Sequence, residues 1–126
     1  MTIVLDASAL LAYIKNESGR EVVAPVLDEA AMSSVNWAEV VQKLGAMDED
    51  IDKTLAEIRF LGLAIAPFTV RDAGSTGKLW ASTRQYGLSL ADRACLSLAM
   101  QLDVPVLTAD RVWKEIALPV ELQLIR

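Results

Sequence analysis

The chain has 126 residues, 53% of them hydrophobic, a formal net charge of −5, one cysteine and no histidine. That length suits one domain over residues 1–126, large enough to bury a core without disulfide or metal staples. The missing histidine excludes Ser-His-Asp and Cys-His nucleophile schemes and removes the usual zinc ligand, leaving carboxylates, hydroxyls, amines or a hard cation for any chemistry.

Cys95 lies within the apolar Ala94-Cys95-Leu96 and reads as inert core packing, in keeping with a reducing compartment. No apolar run approaches the roughly 20 residues that span a bilayer, and the opening Met1-Thr-Ile-Val-Leu-Asp6 lacks a secretory pattern. A soluble, cytoplasmic chain is expected, with no membrane partner. The mean hydropathy of +0.33 implies apolar surface covered by a partner or a second copy.

Thr2 to Leu5 is a short β-branched apolar run, the pattern of a buried strand. Asp6 follows as an N-cap for a helix from Ala7 to Ile14. After a turn at residues 16–19, Ser18 is expected to cap a helix carrying Val22, Val23, Val26 and Leu27. Ala31 to Ser33 reads as a strand. Ser34 or Asn36 starts a helix with Trp37, Val40, Val41 and Leu44, and Asp48 or Asp50 starts another with Ile51, Leu55, Ile58 and Leu61, stopped by Gly62. Leu63 to Ala66 is a weak strand. Thr69 opens a long helical stretch to about Tyr86, with Gly87 as its stop, and Ser89 to Leu102 is a strongly apolar helix. Val104 to Leu107 is a second buried strand, Asp110 introduces a helical turn holding Val112 and Trp113, and Glu121 to Ile125 is the last strand.

Apolar strands alternating with helices indicate an α/β layered fold around a mainly parallel sheet. Asp6 and Asp110 then stand beyond the carboxyl ends of two strands, the edge where open parallel sheets place their sites. Each acid also has an ordinary structural role. Asp6 and Asp110 are good N-caps, Asp92 completes a Ser89-x-x-Asp92 capping box, and Glu39 is a single helical glutamate among apolar neighbours. Taken together they mean more. Two carboxylates about 4 Å apart repel by roughly 4 kcal/mol at an effective dielectric near 20, so four converging acids need a cation, and all-oxygen ligands select hard ions such as Mg²⁺ or Mn²⁺.

Four segments resemble the motifs of PIN domains, in family order: Ile3-Val-Leu-Asp-Ala-Ser-Ala-Leu10, Asn36-Trp-Ala-Glu-Val40, Leu88-Ser-Leu-Ala-Asp-Arg-Ala-Cys-Leu-Ser-Leu-Ala99 and Pro105-Val-Leu-Thr-Ala-Asp-Arg-Val-Trp113. The size is similar to that of VapC-type toxins of toxin–antitoxin pairs. The resemblance implies a three-layer fold with a central parallel sheet and Mg²⁺-dependent cleavage of RNA to leave a 5′-phosphate and a 3′-hydroxyl. It also implies homodimerisation and a VapB-type antitoxin covering a hydrophobic groove. On this reading Asp6, Asp92 and Asp110 are metal ligands, Glu39 completes the catalytic set by orienting the attacking water, and Ser8 and Thr108 are supporting hydroxyls.

The acidic balance counts against a nucleic-acid partner, because affinity for RNA comes largely from neutralising phosphates; carboxylates gathered round a cation reconcile the two. Arg93 and Arg111, each directly after a candidate ligand, are either phosphate grips or exposed partners of nearby acids. Trp37, Trp80 and Trp113 fit core or interface packing better than base stacking. Two other functions fit the same outline. A phosphoacceptor receiver-like domain is disfavoured by the single acid in Leu5-Asp6-Ala7 and by the absence of a lysine after the late strand. A catalytically silent PIN-like module that only binds RNA or antitoxin is the stronger alternative.

Overall fold

A computed structural model describes residues 1–47 and 50–126. It contains strands β1 (Ile3–Leu5), β2 (Ala30–Ser33), β3 (Ala64–Ala66), β4 (Val106–Thr108) and β5 (Leu122–Leu124). The helices are α1 (Ala7–Ile14), α2 (Arg20–Val23), α3 (Ser34–Ala46), α4 (Ile51–Phe60), α5 (Val70–Lys78), α6 (Trp80–Thr83) and α7 (Leu90–Leu102). Turns of 3₁₀ helix run over Ala24–Glu29, Arg84–Tyr86 and Arg111–Glu115.

All strand pairings are parallel, in the order β3-β2-β1-β4-β5. Successive side chains point to opposite faces of a strand, and the packing follows that alternation. Ile3 and Leu5 of β1, Ala30 and Met32 of β2 and Leu107 of β4 join one core with Leu10, Val40, Leu44 and Ile58. Val4, Ala31 and Val106 join a second core with Cys95, Leu96, Ala99, Trp113 and Ile116. Both faces of the sheet are thus covered, α1, α3 and α4 on one side and α7 with the last 3₁₀ turn on the other. This is the three-layer α/β arrangement expected.

The side on which strands are added switches between β1 and β4: β2 and β3 lie to one side of β1, and β4 and β5 to the other. Such a switch point opens a crevice beyond the carboxyl ends of the two strands. Asp6 follows β1 and Asp110 follows β4 at that crevice.

Several local expectations change. Ser18 does not cap; Gly19 does, with φ of 98° and no side-chain bond. An ideal Cβ there would sit 2.8 Å from Ile125, so only glycine fits under the C-terminal strand. Of the two candidate starts for α3, Ser34 is its first residue, and Ser33 before it is the cap, accepting from the Val35 N–H. Of the two candidate starts for α4, Asp50 is the cap, while Asp48 lies outside the described residues. The long helix expected over residues 69–86 divides into α5, α6 and a 3₁₀ turn. The Ser82 and Thr83 hydroxyls both donate to the Leu79 carbonyl, at 3.3 and 2.6 Å, and such back-bonding competes with helix continuation. The strand expected over residues 104–107 begins only after Pro105, which has no N–H to donate.

Candidate active site

Asp6 ends β1 with an extended backbone and caps α1, accepting from the Ala9 N–H at 2.9 Å. Its carboxylate is only 5% exposed. Ser8 Oγ donates to the same oxygen, Oδ1, at 2.7 Å, and Thr108 Oγ1 donates to Oδ2 at 2.6 Å across the β1–β4 pair. Three donors favour the charged form, yet burial outweighs them: loss of hydration, reinforced by the negative charge of Asp92, pushes the Asp6 carboxyl up from 3.8 to about 6.

Thr108 is fully buried and ties two acids together, accepting from the Asp110 N–H at 3.0 Å while it donates to Asp6. Ser8 links the same strands, accepting from the Ala109 N–H at 2.9 Å. The bland role of these hydroxyls, local backbone bonding, therefore coexists with direct contact to the Asp6 carboxylate. Asp110 itself is exposed and caps the last 3₁₀ turn, its Oδ1 accepting from the Val112 N–H at 3.1 Å.

Asp92 completes the capping box of α7. Its Oδ2 accepts from the Ser89 N–H at 3.0 Å while its own N–H donates to Ser89 Oγ at 3.1 Å. Glu39 projects from α3, half-buried, and one of its oxygens accepts from Asn36 Nδ2 at 3.1 Å. Asn36 Nδ2 also donates to the Ala91 carbonyl at 3.0 Å, which fixes α3 to the start of α7. Beneath them Cys95 is fully buried, and its thiol is pushed well above the usual range by burial and then by the charges of Asp6, Asp92 and Glu39. The Asn36 amide thus brings Glu39 beside the turn of α7 that carries Asp92, and Thr108 connects the Asp6 carboxylate to the Asp110 backbone.

The acids surround a crevice without closing on a point. Among the described residues, no three Cys, Asp or Glu side chains stand close enough together to hold a metal ion. Nor does a protein cation neutralise them. The ion pairs among the described residues, Lys15–Glu17 and Arg126–Glu17, lie elsewhere. Arg93 Nε donates only to the Ser89 carbonyl, at 3.4 Å, and Arg111 is exposed. A buried, oxygen-lined carboxylate with like charges beside it and no basic partner suits a hard divalent cation.

The sequence reading missed Asn36, which it took only as a helix start. The available signal was a carboxamide three residues before Glu39, one helical turn away on the same face. Of the tryptophans, Trp113 is fully buried and Trp37 packs against the core, but Trp80 is 52% exposed with the Arg84 guanidinium 5.3 Å from its ring centroid. Core packing therefore does not describe Trp80.

Among solved structures, VapBC from Salmonella typhimurium bound to DNA aligns over 100% of this chain and 99% of the other with a TM-score of 0.75 at 20% identity. VapBC2 from Rickettsia felis, bound to a promoter DNA fragment, aligns over 98% of both chains with a TM-score of 0.74 at 19% identity. FitAcB from Neisseria gonorrhoeae aligns over 96% of both with a TM-score of 0.70 at 20% identity. These likenesses establish the fold. No curated protein matches in sequence. The PIN domain family model matches residues 3–118, nearly the whole chain, and the protein belongs to the PIN-domain family.

Proposed function

We propose that this PIN domain is a Mg²⁺-dependent endoribonuclease and the toxin of a VapBC-type toxin–antitoxin pair. The observation that carries the reading is Asp6: a carboxylate 5% exposed, placed at the sheet's switch point, crowded by Asp92 and without a cationic side chain. Asp6 and Asp92 would hold the ion, with Asp110 ligating it or holding it through water, since no three of the described carboxylates stand close enough to coordinate it together; Mn²⁺ is a workable substitute. Bound there, a divalent ion lowers the pKa of water and stabilises charge on the leaving oxygen. The chain's own residues do the rest. Thr108 and Ser8 fix both oxygens of Asp6, the capping box fixes Asp92, and Glu39 orients the attacking water and accepts its proton. Arg93 and Arg111, next in sequence to two of the ligands and without an ion pair among the described residues, would hold the phosphodiester.

The neighbours in VapBC complexes support a VapB-type antitoxin as partner. A groove of about 590 Å³ between α1 and α4 has a mixed lining, with Tyr13, Ile14 and Leu61 beside Lys15, Glu17 and Glu57, and offers both apolar and charged contacts for it. Phe60 at 90% exposure and Leu61 at 44% continue that surface, and a homodimer would cover further apolar residues. Among the described residues no helix is long and apolar enough to cross a membrane.

The test is incubation of purified protein with structured RNA and Mg²⁺. Cleavage is expected, and it is expected to vanish with excess chelator and in Asp6→Ala; cleavage that survives both would refute the mechanism. A second reading, a catalytically silent PIN-like module that binds RNA or antitoxin, draws on the caps made by Asp6, Asp92 and Asp110 and on their failure to close on one point. Thermal melting with Mn²⁺ separates the two, since a ligand that binds only the native state raises its stability. The nuclease reading requires a rise in wild type that is lost in Asp92→Asn. No rise at millimolar metal favours the silent module.

A further inference from the structure

Asn36 is 1% exposed in the first turn of α3, where it begins a buried face otherwise made of Val40 and Leu44. Both hydrogens of its amide nitrogen are used, one on Glu39 at 3.1 Å and one on the Ala91 carbonyl at 3.0 Å. Its oxygen, by contrast, is buried with no donor. Leaving a buried acceptor unsatisfied costs stability, and an apolar side chain of the same shape would avoid that cost. Stability alone therefore does not account for an asparagine here, whereas the two donated bonds do. One grips the Glu39 carboxylate, and the other anchors the amide to the residue preceding Asp92.

We infer that Asn36 is a positioning residue, whose carboxamide holds Glu39 at a fixed place relative to Asp92 by bridging α3 to the first turn of α7. The inference rests on the metal-nuclease reading and adds to it a residue that touches neither ion nor RNA. A carboxylate on a long glutamate stem has several rotamers to lose, and a neighbour that selects one of them pre-organises the acidic shell.

A double-mutant cycle between Asn36→Ala and Glu39→Ala tests it, read by Mn²⁺ affinity from the electron paramagnetic resonance signal of the free ion and by kcat and KM for RNA at saturating Mg²⁺. Asn36→Ala is expected to weaken Mn²⁺ binding and lower kcat, each by about tenfold, the lower end for removal of an outer-shell partner of a metal site, with KM for RNA within about twofold. In the Glu39→Ala background the same change should have less than about a twofold effect, because its target is gone. Should Asn36→Ala melt below the assay temperature, Asn36→Leu, which has the same branching and lacks the orphaned oxygen, takes its place with the same expected pattern. Equal losses in both backgrounds, or a lowered melting temperature with unchanged Mn²⁺ affinity and kcat, would overturn the inference and leave Asn36 as a core tie between two helices. A wild-type protein that neither binds Mn²⁺ nor cleaves RNA would overturn the nuclease reading and this inference with it.

Discussion

Asp6→Asn turns the electrostatic strain of the site into a measurable stability. In the folded protein the Asp6 carboxyl titrates near 6 instead of 3.8, because burial disfavours its charge more than Thr108, Ser8 and Ala9 favour it. Between those two pH values the native state holds a proton that the unfolded chain has released. Stability contributed at this site is therefore intact below about pH 4, falls as pH rises through the window, and is fully lost above about pH 6. Each pH unit of displacement corresponds to about 1.4 kcal/mol, so the loss is about 3 kcal/mol. Asparagine keeps an oxygen for Ser8 and the Ala9 N–H and never ionises. In EDTA and at fixed protein concentration, urea denaturation of both proteins from pH 4 to 7.5 should show the variant gaining about 3 kcal/mol on wild type across the range. The difference isolates Asp6, since groups titrating in the opposite sense, such as Asp72, held low by the Thr69 N–H, are common to both. Saturating Mn²⁺ at pH 7.5 should return the advantage to wild type. A difference flat with pH to within about 0.5 kcal/mol would refute the claim that Asp6 is held charged at a cost.

Thr108→Val removes the hydroxyl that serves Asp6 and the Asp110 N–H without changing side-chain volume much, and should destabilise by about 1–3 kcal/mol at pH 7 in denaturant titration. Gly19→Ala forces a side chain into a left-handed conformation against Ile125 and should cost at least about 1 kcal/mol, whereas alanine at Gly74, which meets nothing within 4 Å, should not destabilise; paired melting curves check both. Phe60→Ser, at a ring 90% exposed, should change stability by less than about 0.5 kcal/mol while weakening self-association or antitoxin capture, as read by sedimentation.

Much of the fold is legible in the residues. The β-branched runs at Ile3 and Val106, the caps at Asp6, Thr69 and Ser89 and the stops at Gly62 and Gly87 are local signals that tertiary packing reinforces. The long helix over 69–86 is misjudged because hydroxyl bonding at Ser82 and Thr83 is a choice between two nearby acceptors, to which periodicity is blind. Less of the site can be read. That Asp6 and Asp110 meet through Thr108 depends on strand order, and strand order is set by packing between segments distant in sequence, 102 residues apart for Asp6 and Thr108. The role of Asn36 depends on a contact to Ala91 in another helix, and that of Thr108 on the pairing of β1 with β4.

Helix capping and metal ligation, which compete as readings of a lone aspartate in a sequence, are compatible in this geometry. A cap needs one carboxylate oxygen. Asp92 gives Oδ2 to the Ser89 N–H and Asp110 gives Oδ1 to the Val112 N–H; among the described residues the second oxygen of each has no protein donor. The cap fixes the rotamer of a short side chain and so removes entropy that a free carboxylate would lose on binding an ion. The same economy bears on the net charge of −5, which looks unfavourable for an RNA partner. Among the described residues no basic side chain pairs with the acids of the crevice, so a divalent ion among Asp6, Asp92 and Asp110 would cancel charge where the phosphodiester must approach.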